Sequence, residues 1–156
     1  MKKEINLNLG CGFDILEGYE NYDKYPVNKK VKYLDLEVLP LDIFTNKYAN
    51  KIRIHNVFEH LKLSIRMDLM KEFHRILKND GALDIVMPLF MQRIFHQSYF
   101  HTKSYFNPFI KENIVSVSGD VEGKYFVLLD FKYIFKSFNK CFPFVKINCR
   151  WILKKN

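Results

Sequence analysis

The sequence lacks an apolar run approaching the roughly 18 residues that a helix needs to cross a bilayer. Its opening residues, Met1–Asn6, also lack the long apolar region of a secretory signal peptide. Cysteine is scarce: the three cysteines are odd in number and show no metal-ligand spacing, as in proteins of a reducing compartment. These absences argue against a disulfide scaffold and predict a cytoplasmic protein with no membrane span.

The length and composition predict one folded domain over residues 1–156. The apolar share of 48% excludes a disordered chain, and 156 residues are enough to bury a core. No internal repeat, low-complexity tract or linker divides the sequence.

The charge balance is basic, with 25 Lys and Arg against 17 Asp and Glu and a net charge of +8. Such an excess is typical of proteins that bind nucleic acid, anionic lipid or phosphorylated substrates. The chain is also rich in Lys, Asn, Ile, Phe and Tyr, which AT-rich codons encode, so codon bias accounts for part of the lysine. Nucleic acid is therefore possible as a partner but not favoured.

Hydrophobic periodicity predicts a mixed α/β chain. One helix is predicted from an N-cap at Ser64 to about Lys78, stopped by residues 79–81, and a second from about Ser104 to Glu112. The predicted strands are Glu4–Leu9, Glu20–Asp23, Lys30–Leu34, Lys51–His55, Ala82–Met87, Tyr125–Phe135 and Val145–Leu153.

The order and spacing of these elements predict the sheet. A strand–helix–strand unit around residues 51–88 indicates parallel pairing, and the last two strands are close enough for an antiparallel hairpin. The spacers 13–19 and 24–30 are too short for crossover helices. Because the strands alternate polar and apolar residues, we expect helices mainly on one face of the sheet.

The other face of the sheet is expected to be polar, largely basic, and either solvated or covered by a partner. That partner could be a second copy of the chain. The alternation assigns five basic residues to this one surface: Lys32, Arg53, Lys132, Lys146 and Arg150.

The glycine-containing segment after the first strand indicates a ligand site. Residues 5–9 alternate and lead into Gly10-Cys11-Gly12, where glycine allows positive φ and close backbone approach. Asp23 follows the next strand, where a carboxylate can accept hydrogen bonds from two ribose hydroxyls. The alternative is that Asp23 only caps a turn beside Lys24.

Four segments follow one another in a characteristic order: Leu7–Gly12 with Gly18–Asp23, Leu34–Leu41, Ile54–Leu61 and Phe73–Gly81. Together they resemble the Rossmann-like S-adenosylmethionine (SAM) dependent methyltransferases, in particular their short type 11 branch. The resemblance implies a reduced sheet of that family, mostly parallel with a C-terminal antiparallel hairpin. Two positions depart from the family pattern, since Asn8 stands where an acid is frequent and Asp14 replaces the third glycine.

The resemblance also implies which residues hold SAM. Backbone contacts come from Gly10, Cys11 and Gly12, and Asp23 accepts from the ribose. Asp35 and the Leu36 backbone contact the adenine, unless Asp35 is simply a solvated acid after a strand. His55 and Asn56 complete the set, because open α/β sheets bind ligands at the carboxyl ends of their strands.

Two histidines are catalytic candidates. His60, beside Glu59, is either a general base or a group that braces the site, and His101 lies in a segment that covers the acceptor in relatives. Some relatives hold a divalent metal with Glu-x-x-Glu-His, but Asn56 occupies the first of those positions here. We therefore expect no metal.

The leading hypothesis is a methyltransferase that transfers a methyl group from SAM to a small-molecule or sugar acceptor. The competing hypothesis is a catalytically idle SAM-fold module that binds a protein partner or nucleic acid through its basic face. An NAD-type dehydrogenase is disfavoured because there is no Gly-x-Gly-x-x-Gly and no helix after the glycines to meet a pyrophosphate.

Overall fold

The computed structural model describes residues 4–88, 126–137 and 145–155. These residues form seven strands, a short 3-10 helix at Phe58–His60 and the helix α1 at Leu63–Ile76. The strands are β1 at Asn6–Leu9, β2 at Glu20–Asp23, β3 at Val31–Tyr33, β4 at Ala49–His55, β5 at Leu77–Pro88, β6 at Phe126–Ser137 and β7 at Val145–Lys155.

All seven strands belong to one sheet in the order β3-β2-β1-β4-β5-β7-β6. The five strands from β3 to β5 pair in parallel, whereas β7 is antiparallel to both β5 and β6. The predicted mostly parallel sheet with a C-terminal antiparallel hairpin is confirmed. The strand order reverses between β1 and β4, where open α/β sheets bind their ligands.

One face of the sheet, which we call the core face, packs against α1. The helix contributes a stripe that includes Leu69, Phe73 and Ile76, all fully buried. The sheet contributes the alternating apolar residues that the sequence predicted: Leu7, Leu9, Ile52, Ile54, Leu83, Ile85, Trp151 and Leu153.

Both predicted ends of the helix are wrong by two residues. The N-cap is Lys62 rather than Ser64, because the Lys62 carbonyl already accepts the N–H groups of Ile65 and Arg66. The helix ends at Ile76 rather than Lys78, because Leu77 is extended, pairs with Ala49 and is fully buried. The predicted stop at residues 79–81 lies inside β5, where Asp80 has a φ of 63°.

On the opposite face, which we call the polar face, the sequence predicted side chains that are either solvated or covered by a partner. As predicted, residues 13–19 and 24–30 hold turns and no helix, so no helix from these connections covers this face. The central side chains are nevertheless buried: Asn8 is 0%, Asn21 5% and Asp84 1% exposed. They are buried because neighbouring polar side chains of the same chain pack against them.

Lys32 was assigned to the polar face, and this assignment is wrong. Its register partner is Tyr22, which pairs in turn with Leu9 on the core face. Its ammonium lies 3.0 Å from Glu20 and over the Tyr22 ring. Val31 pairs with Asn21 and therefore faces the polar side, so the alternation of β3 has the opposite phase to the one expected.

The second predicted helix and His101 lie outside the described residues. Within the described ranges, no helix has the length and apolar character that would let it cross a membrane.

Candidate functional site

The turn after β1 has the backbone shape that its glycines were expected to allow. Gly10 has a φ of 65° and Gly12 a φ of 51°, in the left-handed region that side chains disfavour. A Cβ added at Gly10 would collide with the Val57 side chain, whereas one at Gly12 would meet nothing within 4 Å. The turn is therefore packed on the Val57 side and open at Gly12.

Asp23 ties this turn to β2. One carboxylate oxygen accepts the Gly12 N–H at 2.8 Å, and the other accepts the Tyr25 N–H at 2.8 Å. The carboxylate thus lies beside the open glycine and also caps the turn that follows β2. Both the ribose interpretation and the turn-cap interpretation of Asp23 match part of this geometry.

Asn8, on the polar face of β1, is engaged within the chain. Its amide nitrogen donates to the Asp14 carbonyl at 2.8 Å and to Asn21 at 2.9 Å. Its amide oxygen accepts a hydrogen bond from Arg53 at 2.7 Å, and Arg53 also pairs with the Asp14 carboxylate at 2.6 Å. Asn8 therefore holds the turn in place from the polar face.

Asp35 lies after β3 beside Lys24, with 2.9 Å between the carboxylate and the ammonium. It also accepts the Glu37 N–H, and these two hydrogen bonds hold the pKa of Asp35 below its usual range. Asp35 lines a cavity of about 290 Å³ together with Val38 and Ile43, both well exposed. The side chain of Leu36 is buried in the core.

A larger cavity of about 450 Å³ opens on the polar face at the carboxyl ends of β1 and β4. It brings together four of the predicted cofactor residues, namely Gly10, Cys11, His55 and Asn56. The rest of its lining is Phe13, Asp14, Leu16, Tyr19, Lys51, Arg53, Asp84, Val86 and Arg150.

Asp84 is the buried centre of the charges around this cavity. Arg150 contacts both of its oxygens, at 2.8 and 2.5 Å, while His55 lies at 3.2 Å and Lys51 at 3.4 Å. Burial on its own would raise the pKa of Asp84. The hydrogen bonds from His55 and Arg150, together with the charge of Arg150, outweigh burial and hold the pKa well below its usual range.

Two other titratable groups of the cavity are shifted by burial. Burial lowers the pKa of His55 against the opposing effect of Asp84, and the positive charges of Arg53 and Arg150 lower it further. Burial raises the pKa of the Cys11 thiol, and nearby Asp23 raises it too. Near neutral pH His55 is therefore an uncharged imidazole and Cys11 an uncharged thiol.

His60, the other described catalytic candidate, does not line this cavity. It lies on the 3-10 helix with its side chain about half exposed, 3.9 Å from buried Glu59. The buried guanidinium of Arg66 donates to the Glu59 and Leu61 carbonyls and so fixes this segment. Within the described ranges, no group of three or more His, Cys, Asp or Glu residues is arranged to hold a metal ion.

Sequence reasoning missed Asp84 as a member of the site. It also treated Arg53 and Arg150 as a binding surface rather than as walls of the cavity. Alternation did put all three residues on one face, which was the available signal. Their meeting requires the register in which Arg53 pairs with Asp84 and Val86 with Arg150.

Comparison with known proteins gives a fold but no relative by sequence. No protein-family model and no curated protein matches the chain. Solved structures do match: the MccD protein is 16% identical with a TM-score of 0.65, over 99% of this chain and 91% of that one.

Two methyltransferase structures match in the same way. The N-methyltransferase NodS from Bradyrhizobium japonicum WM9, solved with S-adenosyl-L-homocysteine (SAH), is 9% identical with a TM-score of 0.63, over 97% of this chain and 78% of that one. A SAM-dependent methyltransferase from Archaeoglobus fulgidus is 15% identical with a TM-score of 0.59, over 99% of this chain and 87% of that one. The chain has the Rossmann-like fold of the SAM-dependent methyltransferases.

Proposed function

We propose that this protein is a methyltransferase that takes its methyl group from SAM and passes it to a small-molecule or sugar acceptor. The observation that carries the proposal is the contact between Asp23 and the Gly12 N–H, 2.8 Å long. It puts a carboxylate from the end of β2 against an open backbone turn at the end of β1. The methyltransferase fold of the chain and the SAH bound to NodS support the same interpretation.

The residues of the turn fit such a cofactor. The open position at Gly12 leaves room for a ligand against the backbone, and Asp23 can accept hydrogen bonds from a ribose there. Asp35 offers a second acceptor after β3 for an adenine amine. When bound, SAM would supply an electrophilic methyl group, and the protein would align the acceptor with it.

Isothermal titration with SAM and with SAH tests the proposal. We expect the wild-type chain to bind both, and Asp23→Ala to weaken binding by about 1.5–3 kcal/mol because a charged acceptor is lost. Asp23→Asn should be intermediate, because its amide oxygen can still accept the Gly12 N–H. Asp68→Ala, on the exposed side of α1, is the matched control and should bind like wild type.

Methyl transfer itself requires a second measurement. Incubation with methyl-labelled SAM and a small-molecule extract should label a product, and Asp23→Ala should reduce that labelling in step with its weaker binding. Absence of binding to both SAM and SAH would contradict the proposal.

A second candidate is the idle module that binds a partner through its polar face. The observation that favours it is that residues 13–19 and 24–30 form no helix. These connections therefore place no helix over the polar face at β1 and β2. The titrations distinguish the two candidates, since an idle module of this kind binds neither SAM nor SAH.

A further inference from the structure

His55 and Asp84 form a dyad that is separate from the contact between Asp23 and Gly12. The His55 Nε2 lies 3.2 Å from a carboxylate oxygen of Asp84, whose side chain is 2% exposed. Because an ionised carboxylate can only accept, Nε2 must carry the hydrogen in this contact. The dyad therefore fixes the imidazole as the Nε2–H tautomer.

The second ring nitrogen, Nδ1, is then an acceptor with a free lone pair. Among the described residues it makes no hydrogen bond, and it is not one of the buried polar atoms that lack a partner. His55 also lines the cavity of about 450 Å³ beside Gly10 and Cys11. It follows that Nδ1 is not fully buried, on a residue that lines the cavity where the glycine turn begins.

Asp84 is held so that it can orient this ring. Arg150 binds both carboxylate oxygens, and Lys51 lies 3.4 Å from one of them. A carboxylate fixed by a bidentate arginine cannot turn away from His55 without losing these contacts. Its negative charge would also stabilise an imidazolium when the ring takes up a proton.

We propose that His55 is the general base of the methyl transfer, that Asp84 is its positioning residue, and that the acceptor is therefore a hydroxyl compound. This inference rests on the proposed function. The hydroxyl oxygen forms a bond to the methyl carbon, its proton goes to Nδ1 of His55, and the electron pair of the methyl–sulfur bond goes to sulfur. A hydroxyl needs such a base, whereas a neutral amine does not.

The charges around the ring favour the base form and disfavour a cationic acceptor. Burial and the nearby arginines keep the imidazole neutral, so that it can accept a proton near neutral pH. The positive side chains of the cavity also repel an ammonium group. The titratable and charged groups of the cavity are Lys51, Arg53, Asp84, Arg150, Asp14, Cys11 and Tyr19.

Nitrogen-15 NMR of the full chain tests the dyad directly. We expect His55 to show a protonated Nε2 and a bare Nδ1 near neutral pH, and to titrate below an ordinary histidine. Asp84→Asn should lower the pKa of His55 further, because a negative charge is removed. Arg150→Gln should raise it, and Arg53→Gln should do the same if Arg150→Gln does not fold. A proton on Nδ1, or equal shifts in all variants, would overturn the inference.

Labelling with methyl-labelled SAM and a small-molecule extract tests the acceptor class. We expect a methyl ether as product, with transfer at saturating SAM about 10²-fold slower or worse in His55→Gln. His74→Gln, which removes a histidine outside the cavity, should transfer at the wild-type rate. A methyl ester, an N-methyl product, or full activity in His55→Gln would overturn this inference and leave the proposed function standing. Absence of SAH binding would remove both.

Discussion

The two faces of the sheet are buried by different means. On the core face, fully buried apolar residues such as Leu9, Ile54 and Trp151 belong to one cluster with the buried residues of α1, and their burial has no preferred direction. On the polar face, Asn8 and Asp84 are equally buried, yet each has specific partners at 2.5 to 3.4 Å. The core face supplies most of the stability, and the polar face fixes the geometry of the candidate site.

Because apolar burial is concentrated on the core face, we expect the largest loss of unfolding free energy from a substitution there. Phe73 of α1 is fully buried, so Phe73→Ala should cost about 3–5 kcal/mol of unfolding free energy through lost burial and the cavity left behind. Urea unfolding can be followed by the fluorescence of Trp151, the single tryptophan, which is also fully buried. Asp68→Ala on the exposed side of the same helix should change stability by less than about 0.5 kcal/mol.

We expect the second-largest loss of stability from substitutions in the glycine turn after β1. Gly10→Ala and Gly12→Ala both force a side chain into the left-handed region, at roughly 1–2 kcal/mol each. Only Gly10→Ala also clashes with Val57, which adds about 1–3 kcal/mol of overpacking. Thermal unfolding of the two variants should therefore rank Gly10→Ala as the less stable. Equal losses would mean that Val57 moves aside.

On the polar face, we expect Asp84→Asn to destabilise the chain by about 1.5–3 kcal/mol, less than Phe73→Ala. The substitution keeps the shape but removes the charge that Arg150 and His55 contact. Arg150 keeps about a quarter of its side chain exposed, so water can solvate it after the change. If Asp84→Asn lost as much unfolding free energy as Phe73→Ala, the two faces would not differ in their contribution to stability. Urea unfolding of both variants under one condition makes the comparison.

The order of elements could be predicted from the sequence because it depends on local periodicity. Alternation in residues 51–55 and 82–87 gave both the strands and their apolar side, and the short spacers excluded two helices. The phase of β3 could not be predicted, because three residues with one lysine fit either face and only pairing with β2 decides. The same limit applies to the C-terminal end of α1, which the pairing of Leu77 with Ala49 determines.

The candidate site was predicted in part for a related reason. Gly10, Gly12 and Asp23 lie in local motifs, so their meeting at one turn follows from the parallel pairing of β1 and β2. Asp84 and Arg150 are 66 residues apart, and their contact depends on the antiparallel register of β5 and β7. That register cannot be predicted from any short stretch of the sequence. The alternation of polar and apolar residues indicates only on which face of the sheet each side chain lies.

The smallest expected effect is a pH dependence that originates on the polar face. The pKa of His55 is lower in the folded chain than in the unfolded one, so the unfolded state binds more protons in the pH range between the two values. The contribution of His55 to stability is therefore complete above its ordinary pKa of about 6.5 and falls as the pH drops below that value. Each unit of difference in pKa corresponds to about 1.4 kcal/mol.

Melting temperatures measured from about pH 7 downward should accordingly fall less steeply in His55→Gln than in the wild-type chain. His74→Gln is the matched control and should keep the wild-type slope. Asp84, whose folded pKa is also lowered, contributes a separate loss that begins only near the ordinary carboxylate value of about 3.9 and continues below it. Two separate acid transitions, the upper one absent in His55→Gln, would assign the pH sensitivity to the polar face. A wild-type slope in His55→Gln would show that burial of the ring does not disfavour its charged form.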